Sequence, residues 1–175
     1  MSVCISLNTP KTVLRVVIMS LFFYGPLSCS FGQEAPPRPI TVYVNPAQGL
    51  NFGAFTQGVT GGTVIIYPTG VRSTTGDVLQ LPSGIPFSPA IFEVEANVGT
   101  VVSIINGPDV QLNGSNGGSM LLQLGGSSTG SPFITTIPPP ARTEVRIGGT
   151  LFVGSQLANP GGEYSGTFMV TFVQE

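Results

Sequence analysis

From residue 40 onward the apolar positions fall into short runs separated by Gly, Pro and Asn. Ile40–Val44 alternates and stops at Asn45-Pro46, and Leu50–Phe55 follows with Leu50 and Phe52 on one side and Gly53 suited to a bulge or close crossing. Thr63–Tyr67 is nearly all apolar before Pro68-Thr-Gly70, which predicts a strand covered on both faces. Val71–Thr74 and Asp77–Leu81 flank Thr75-Gly76 as a hairpin or a bulged strand. Ala90–Ala96 alternates strictly, sending Phe92 and Val94 inward and Ile91, Glu93 and Glu95 outward. Thr100–Ile105 is rich in β-branched residues and ends at Asn106-Gly107, a hairpin signal. A turn spans Asn113-Gly114 and Asn116-Gly-Gly118 before Met120–Leu124. Gly125–Ser131 reads as a polar loop, and Pro138-Pro-Pro140 forbids ladder bonding. Glu144–Ile147, Thr150–Gly154 and Tyr164–Val173 complete the set. In the last, Phe168, Val170 and Phe172 share one face, and this strand is expected to be a core or assembly strand. No stretch shows the 3.6-residue period, so the pattern predicts one all-β domain over residues 40–175, an antiparallel β-sandwich.

Composition agrees with that pattern. The 175 residues include 24 Gly and 16 Pro, too many helix breakers for a helical fold. Only 8% of residues are charged against 41% hydrophobic, which is the composition of a chain that forms a core rather than of disorder. The formal net charge of −2 supplies no basic field for nucleic acid.

The first 39 residues differ from the rest. Lys11 and Arg15 precede the apolar run Val16–Tyr24, then come Gly25, Pro26 and small residues, the order of a secretory signal peptide. Ser30 and Gly32 occupy the small positions before a cut between Gly32 and Gln33. Residues 1–32 are therefore expected to be a signal peptide and the chain to reach the cell surface or exterior through the periplasm, meeting membrane only during export. Cys29 after Leu27-Ser28 offers a rival reading as a lipid-attachment site, against which Pro26 stands. Gln33–Pro39, with Pro36, Pro37 and Pro39, reads as an extended lead-in.

Removing residues 1–32 also removes Cys4, Cys29 and Lys11, leaving four Arg against eight acidic residues and no Cys, Lys or His. The core must then hold the fold without a disulfide. A Ser or Thr nucleophile would have only carboxylates as bases. Glu93 and Glu95 project from one strand face about 7 Å apart, a spacing that paired-carboxylate hydrolysis can use; keeping the outer face wet explains them better. Zinc and calcium patterns are missing, and no cofactor is expected. Gly114-Ser-Asn-Gly-Gly118 leads into a short strand rather than a helix, so it is a turn and not a phosphate cradle. Asn113-Gly-Ser115 fits an acceptor triplet for glycosylation, a match common by chance. Phe52, Phe55, Phe92, Phe152, Phe168 and Phe172 are read as core packing rather than sugar-stacking residues, and the Tyr164 hydroxyl as bonding a nearby loop in the manner of a tyrosine corner.

Two blocks carry a resemblance. One comprises Leu50-Asn-Phe-Gly53, Gly61-Gly-Thr-Val64, Pro68-Thr-Gly70 and Arg72-Ser-Thr-Thr-Gly-Asp-Val78. The other comprises Ile147-Gly-Gly-Thr-Leu-Phe-Val153 and Pro160-Gly-Gly-Glu-Tyr-Ser-Gly-Thr-Phe-Met-Val-Thr-Phe172. They resemble the domain-of-unknown-function 4402 family and, in the Asn-Phe-Gly opening and Tyr-Ser-Gly-Thr ending, the spore-coat-U/Csu-type and Mat-type fimbrial subunits of Gram-negative bacteria. The resemblance implies an immunoglobulin-like sandwich and a non-enzymatic structural or adhesive subunit. Its partners would be further copies, other surface subunits and a periplasmic chaperone. Such subunits carry a donor strand ahead of the domain. Here the three prolines make Gln33–Pro39 a poor donor, so either Ile40–Val44 is the exchanged strand or the domain folds complete and alone. The alternative from another class is a monomeric secreted or lipid-anchored module that binds a ligand such as a carbohydrate.

Overall fold

A computed structural model of the chain describes residues 38–175. The signal peptide, its cleavage between Gly32 and Gln33, the lipid-site reading of Cys29 and lead-in residues 33–37 lie outside the described residues. Eleven strands follow in order: β1 (Thr41–Val44), β2 (Phe55–Ile66), β3 (Arg72–Gln80), β4 (Ala90–Glu95), β5 (Val101–Asn106), β6 (Val110–Gly114), β7 (Ser119–Ser127), β8 (Phe133–Ile134), β9 (Thr143–Val153), β10 (Tyr164–Ser165) and β11 (Val170–Gln174). A single 3₁₀ turn, Pro46–Gln48, follows β1; Asn45 caps it by accepting from the Ala47 amide at 3.0 Å.

All strand pairs are antiparallel and fall into two sheets. The larger runs β1-β4-β9-β7-β6-β10, with β3 and β2 joined to it through β9; the smaller runs β11-β5-β8. Strand β9 organises the larger sheet. Its first half (143–147) pairs with β4 and its second half (149–153) with β2 along one edge, while β7 holds the other. The handover falls at Gly148-Gly149. A Cβ on Gly148 would meet the Ile66 carbonyl oxygen and Pro68, and one on Gly149 would meet Leu50 at 2.8 Å. Two strands can share one edge here because neither residue has a side chain.

The core follows the alternation. Phe92 and Val94 of β4, Val145 and Ile147 of β9, Val102 of β5 and Phe133 form one buried cluster between the sheets, with Val170 and Phe172 packed against it. A second cluster gathers Val64, Ile66, Val78, Leu112, Met120, Leu122, Leu151 and Val153 around Phe52, flanked by Tyr164. Leu50 and Phe168 pack against both clusters. The result is an all-β antiparallel sandwich.

Several expectations need correction. Asn106-Gly107 does not close a hairpin: β5 and β6 lie in different sheets, and the Gly107 amide donates to Met169 O at 2.9 Å as the chain crosses between them. Gly125–Ser131 is not all loop, because β7 runs on to Ser127 through a bulge. Thr63–Tyr67 is fully buried only on its inner side, with Thr63 and Ile65 half-buried outside. Residues 50–54 make a single bridge, Asn51 to Ser88, rather than a strand, and Phe55 opens β2. Tyr164–Val173 is two strands separated by 166–169, where the chain passes from the larger sheet to the smaller. Phe152 lies on the outer face and is 42% exposed.

Candidate interaction surface

The acidic pair on β4 is half-buried on the outer face, not freely solvated, and an arginine that the sequence reading passed over holds it. Arg142, just before β9, donates to Glu93 at 2.7 Å and lies 3.8 Å from Glu95. Its guanidinium sits 3.5 Å from the centre of the Tyr43 ring on β1, and the Tyr43 hydroxyl reaches Glu95 at 3.4 Å. The hydrogen bond that Arg142 donates to Glu93 raises the Arg142 pKa above its ordinary value, and the guanidinium is charged at every accessible pH. This cluster ties the edge strand β1 to β4 and the start of β9. Arg146 and Glu144 form a further exposed pair at 2.6 Å on the same half of the face. Among the described residues, no group of three or more His, Cys, Asp and Glu is placed to hold a metal.

The two terminal strands of the domain lie along one seam. β1 pairs only with β4, over four residue pairs, and β11 only with β5, over five. The Ile40 amide donates to Gln174 Oε1 at 3.2 Å across the seam. Beneath it, Ile40, Val42, Val170 and Phe172 pack on the same cluster, with the Phe172 ring 5.4 Å from that of Phe92. Phe168, Val170 and Phe172 do share one half-buried face, and Thr167, Met169, Thr171 and Val173 are exposed opposite. Val170 and Phe172 belong to an edge strand, while Phe168 precedes it in the crossing segment.

Most of the recognisable motif residues have structural work. The Asn51 side chain accepts from the Gly53 amide at 2.8 Å, and Gly53 has a φ of 68°, which favours glycine. Arg72 clamps this turn by donating to Phe52 O at 2.9 Å and Ala54 O at 3.1 Å while lying over Phe87. The Tyr164 hydroxyl donates to Pro160 O at 2.7 Å, so it does bond back to a loop four residues upstream. Asn159, 2% exposed, accepts from the Gly154 amide at 2.5 Å and donates to Ser119 O at 2.7 Å, joining the ends of β7 and β9. Nothing in the linear pattern distinguishes Asn159 from a turn residue.

Outward side chains of the motifs, Thr63, Ser73, Thr75, Thr150 and Phe152, collect with those of neighbouring strands. Register places Gln111, Leu121, Phe152, Thr63 and Thr75 in one row across five strands, and Gln123, Thr150, Ile65 and Ser73 in the next outward row. These nine residues carry no charge. The outer face is thus divided near Gly148-Gly149 into a charged half on β1, β4 and early β9 and, beyond it, a half whose two central rows are uncharged and whose margins carry the exposed acids Asp77, two residues past Thr75 on β3, and Asp109, two residues before Gln111.

The family model described as "Domain of unknown function (DUF4402)" matches residues 42–173, from β1 through β11. No curated protein and no solved structure matches the chain.

Proposed function

The chain belongs to the DUF4402 family, and from that premise we propose that it is an exported, non-enzymatic structural or adhesive subunit of a Gram-negative surface assembly, with an immunoglobulin-like sandwich as its building block. The observation that carries this reading is the seam between β1 and β11. A four-residue strand lies first in the domain, follows Pro39 and, among the described residues, has a free outer edge. Its docking groups, the Val42 side chain and the register Thr41↔Glu95 to Val44↔Phe92, are the same whether β1 comes from its own chain or another copy. Exchange of such an element between identical chains conserves every contact and links subunits at little free-energy cost. The likeness to fimbrial subunits in the Asn-Phe-Gly and Tyr-Ser-Gly-Thr motifs supports the same reading.

The test is size-exclusion chromatography with negative-stain microscopy of the exported protein. Ordered polymers are expected, and a persistent monomer at high concentration overturns the proposal. The alternative, a monomeric binding module, draws support from the uncharged rows around Phe152 on the outer face.

A further inference from the structure

Phe152 belongs to neither core cluster. Its neighbours along β9, Leu151 and Val153, fill the core, and the ring stands 42% exposed on the central strand of the larger sheet. Leu121 and Thr63 flank it in its own row, about 5 Å to either side by strand spacing. Gln111 lies one strand further out, and Thr150 and Gln123 sit one outward row along, about 7 Å away. An exposed apolar ring is therefore surrounded by amides and hydroxyls at distances spanned by one or two sugar rings.

The surroundings select the ligand. An anionic partner would meet repulsion rather than counter-charge here, because the exposed acids Asp77 and Asp109 border these rows and the arginines Arg142 and Arg146 lie on the other half of the face. A neutral polyhydroxylated ligand suits both elements. Its apolar C–H face meets the electron-rich ring face, and its hydroxyls exchange hydrogen bonds with amides that both donate and accept.

We propose that the outer face centred on Phe152 binds a neutral carbohydrate, with the ring as stacking platform and Gln111, Gln123 and Thr150 as hydrogen-bonding partners. This site is independent of the strand-sharing reading, since none of its residues lies in β1 or β11.

The test applies the exported protein to a glycan microarray bearing neutral, sialylated and sulfated oligosaccharides, followed by titration of the bound neutral glycans. Binding to neutral glycans that persists at raised salt is expected. Phe152→Ala should weaken it on the order of tenfold, Phe152→Tyr should retain it, and Gln123→Ala should weaken it without removing the ring. Arg142→Ala, on the charged half, should leave it unchanged. No neutral glycan bound, salt-sensitive binding to acidic glycans only, or binding indifferent to both Phe152→Ala and Gln123→Ala overturns the proposal. So does a dimer that Phe152→Ala dissociates. Melting curves identify any variant that has merely unfolded, and polymerisation of Phe152→Ala, expected to be unaltered, separates failure of this site from failure of the assembly reading.

Discussion

Phe168 is one of two residues that pack against both core clusters, and its truncation tests whether those clusters form one cooperative unit. It sits in the 166–169 crossing between sheets, half-buried, with Tyr164 and Phe52 in one cluster and Val170, Phe172 and Phe92 in the other. Truncating a fully buried Phe to Ala costs about 3–5 kcal/mol through lost transfer energy and the cavity left behind. A half-buried ring loses about half of this, so Phe168→Ala should destabilise by about 2 kcal/mol. For a domain of this size that corresponds to a melting temperature lower by about 8 °C, a large fraction of the roughly 5–15 kcal/mol that holds a typical domain folded. Thr167→Ala, on the exposed side, should change stability by less than about 0.5 kcal/mol. Circular-dichroism melting of the two variants, with urea unfolding to confirm a single transition, makes the comparison. Melting of Phe168→Ala within about 2 °C of the parent, or equal effects from the two substitutions, would refute the reasoning.

Asn159→Ala should be costlier than its position in a turn suggests. It leaves the Gly154 amide and the Ser119 carbonyl without their buried partner, each worth about 1–3 kcal/mol, and a loss of about 2–4 kcal/mol in urea unfolding is expected. Glu93→Gln and Glu95→Gln should each leave melting within about 2 °C of the parent, because ion pairs that remain in contact with solvent, as this half-buried pair does, contribute little; thermal scans in low and high salt check this.

The strand inventory was legible because one face of each strand is buried, and alternation records that directly: Phe92 and Val94 inward, Phe168 and Phe172 on one face. The same rule applied to Leu151-Phe152-Val153 turns Phe152 outward, against the burial that its apolar ring alone implies. Glycines were the main source of error. Gly125, Gly148 and Gly149 read as breaks, yet strands run through them, since a residue without a side chain allows β7, β9, β2 and the Leu50 side chain to approach closely. Asn106-Gly107 has the chemistry of a hairpin turn, but which sheet β6 joins is decided by long-range pairing that no local dipeptide encodes. Nothing local to Arg142 or Arg72 marks the roles they have in the structure. Their partners, Glu93 and Phe52 O, are 49 and 20 residues away in sequence.

The central claim is that neighbouring subunits share strands through β1, and one cross-link tests it. Thr41 of β1 stands opposite Glu95 of β4, and residues 33–175 contain no natural Cys. The exported double variant Thr41→Cys/Glu95→Cys, oxidised and run on a non-reducing gel, reports whose β1 occupies β4. Strand sharing predicts a ladder of covalent multimers that collapses on reduction and is limited to dimers in either single variant. Quantitative conversion to a cross-linked monomer, with no ladder at concentrations that should favour assembly, contradicts it.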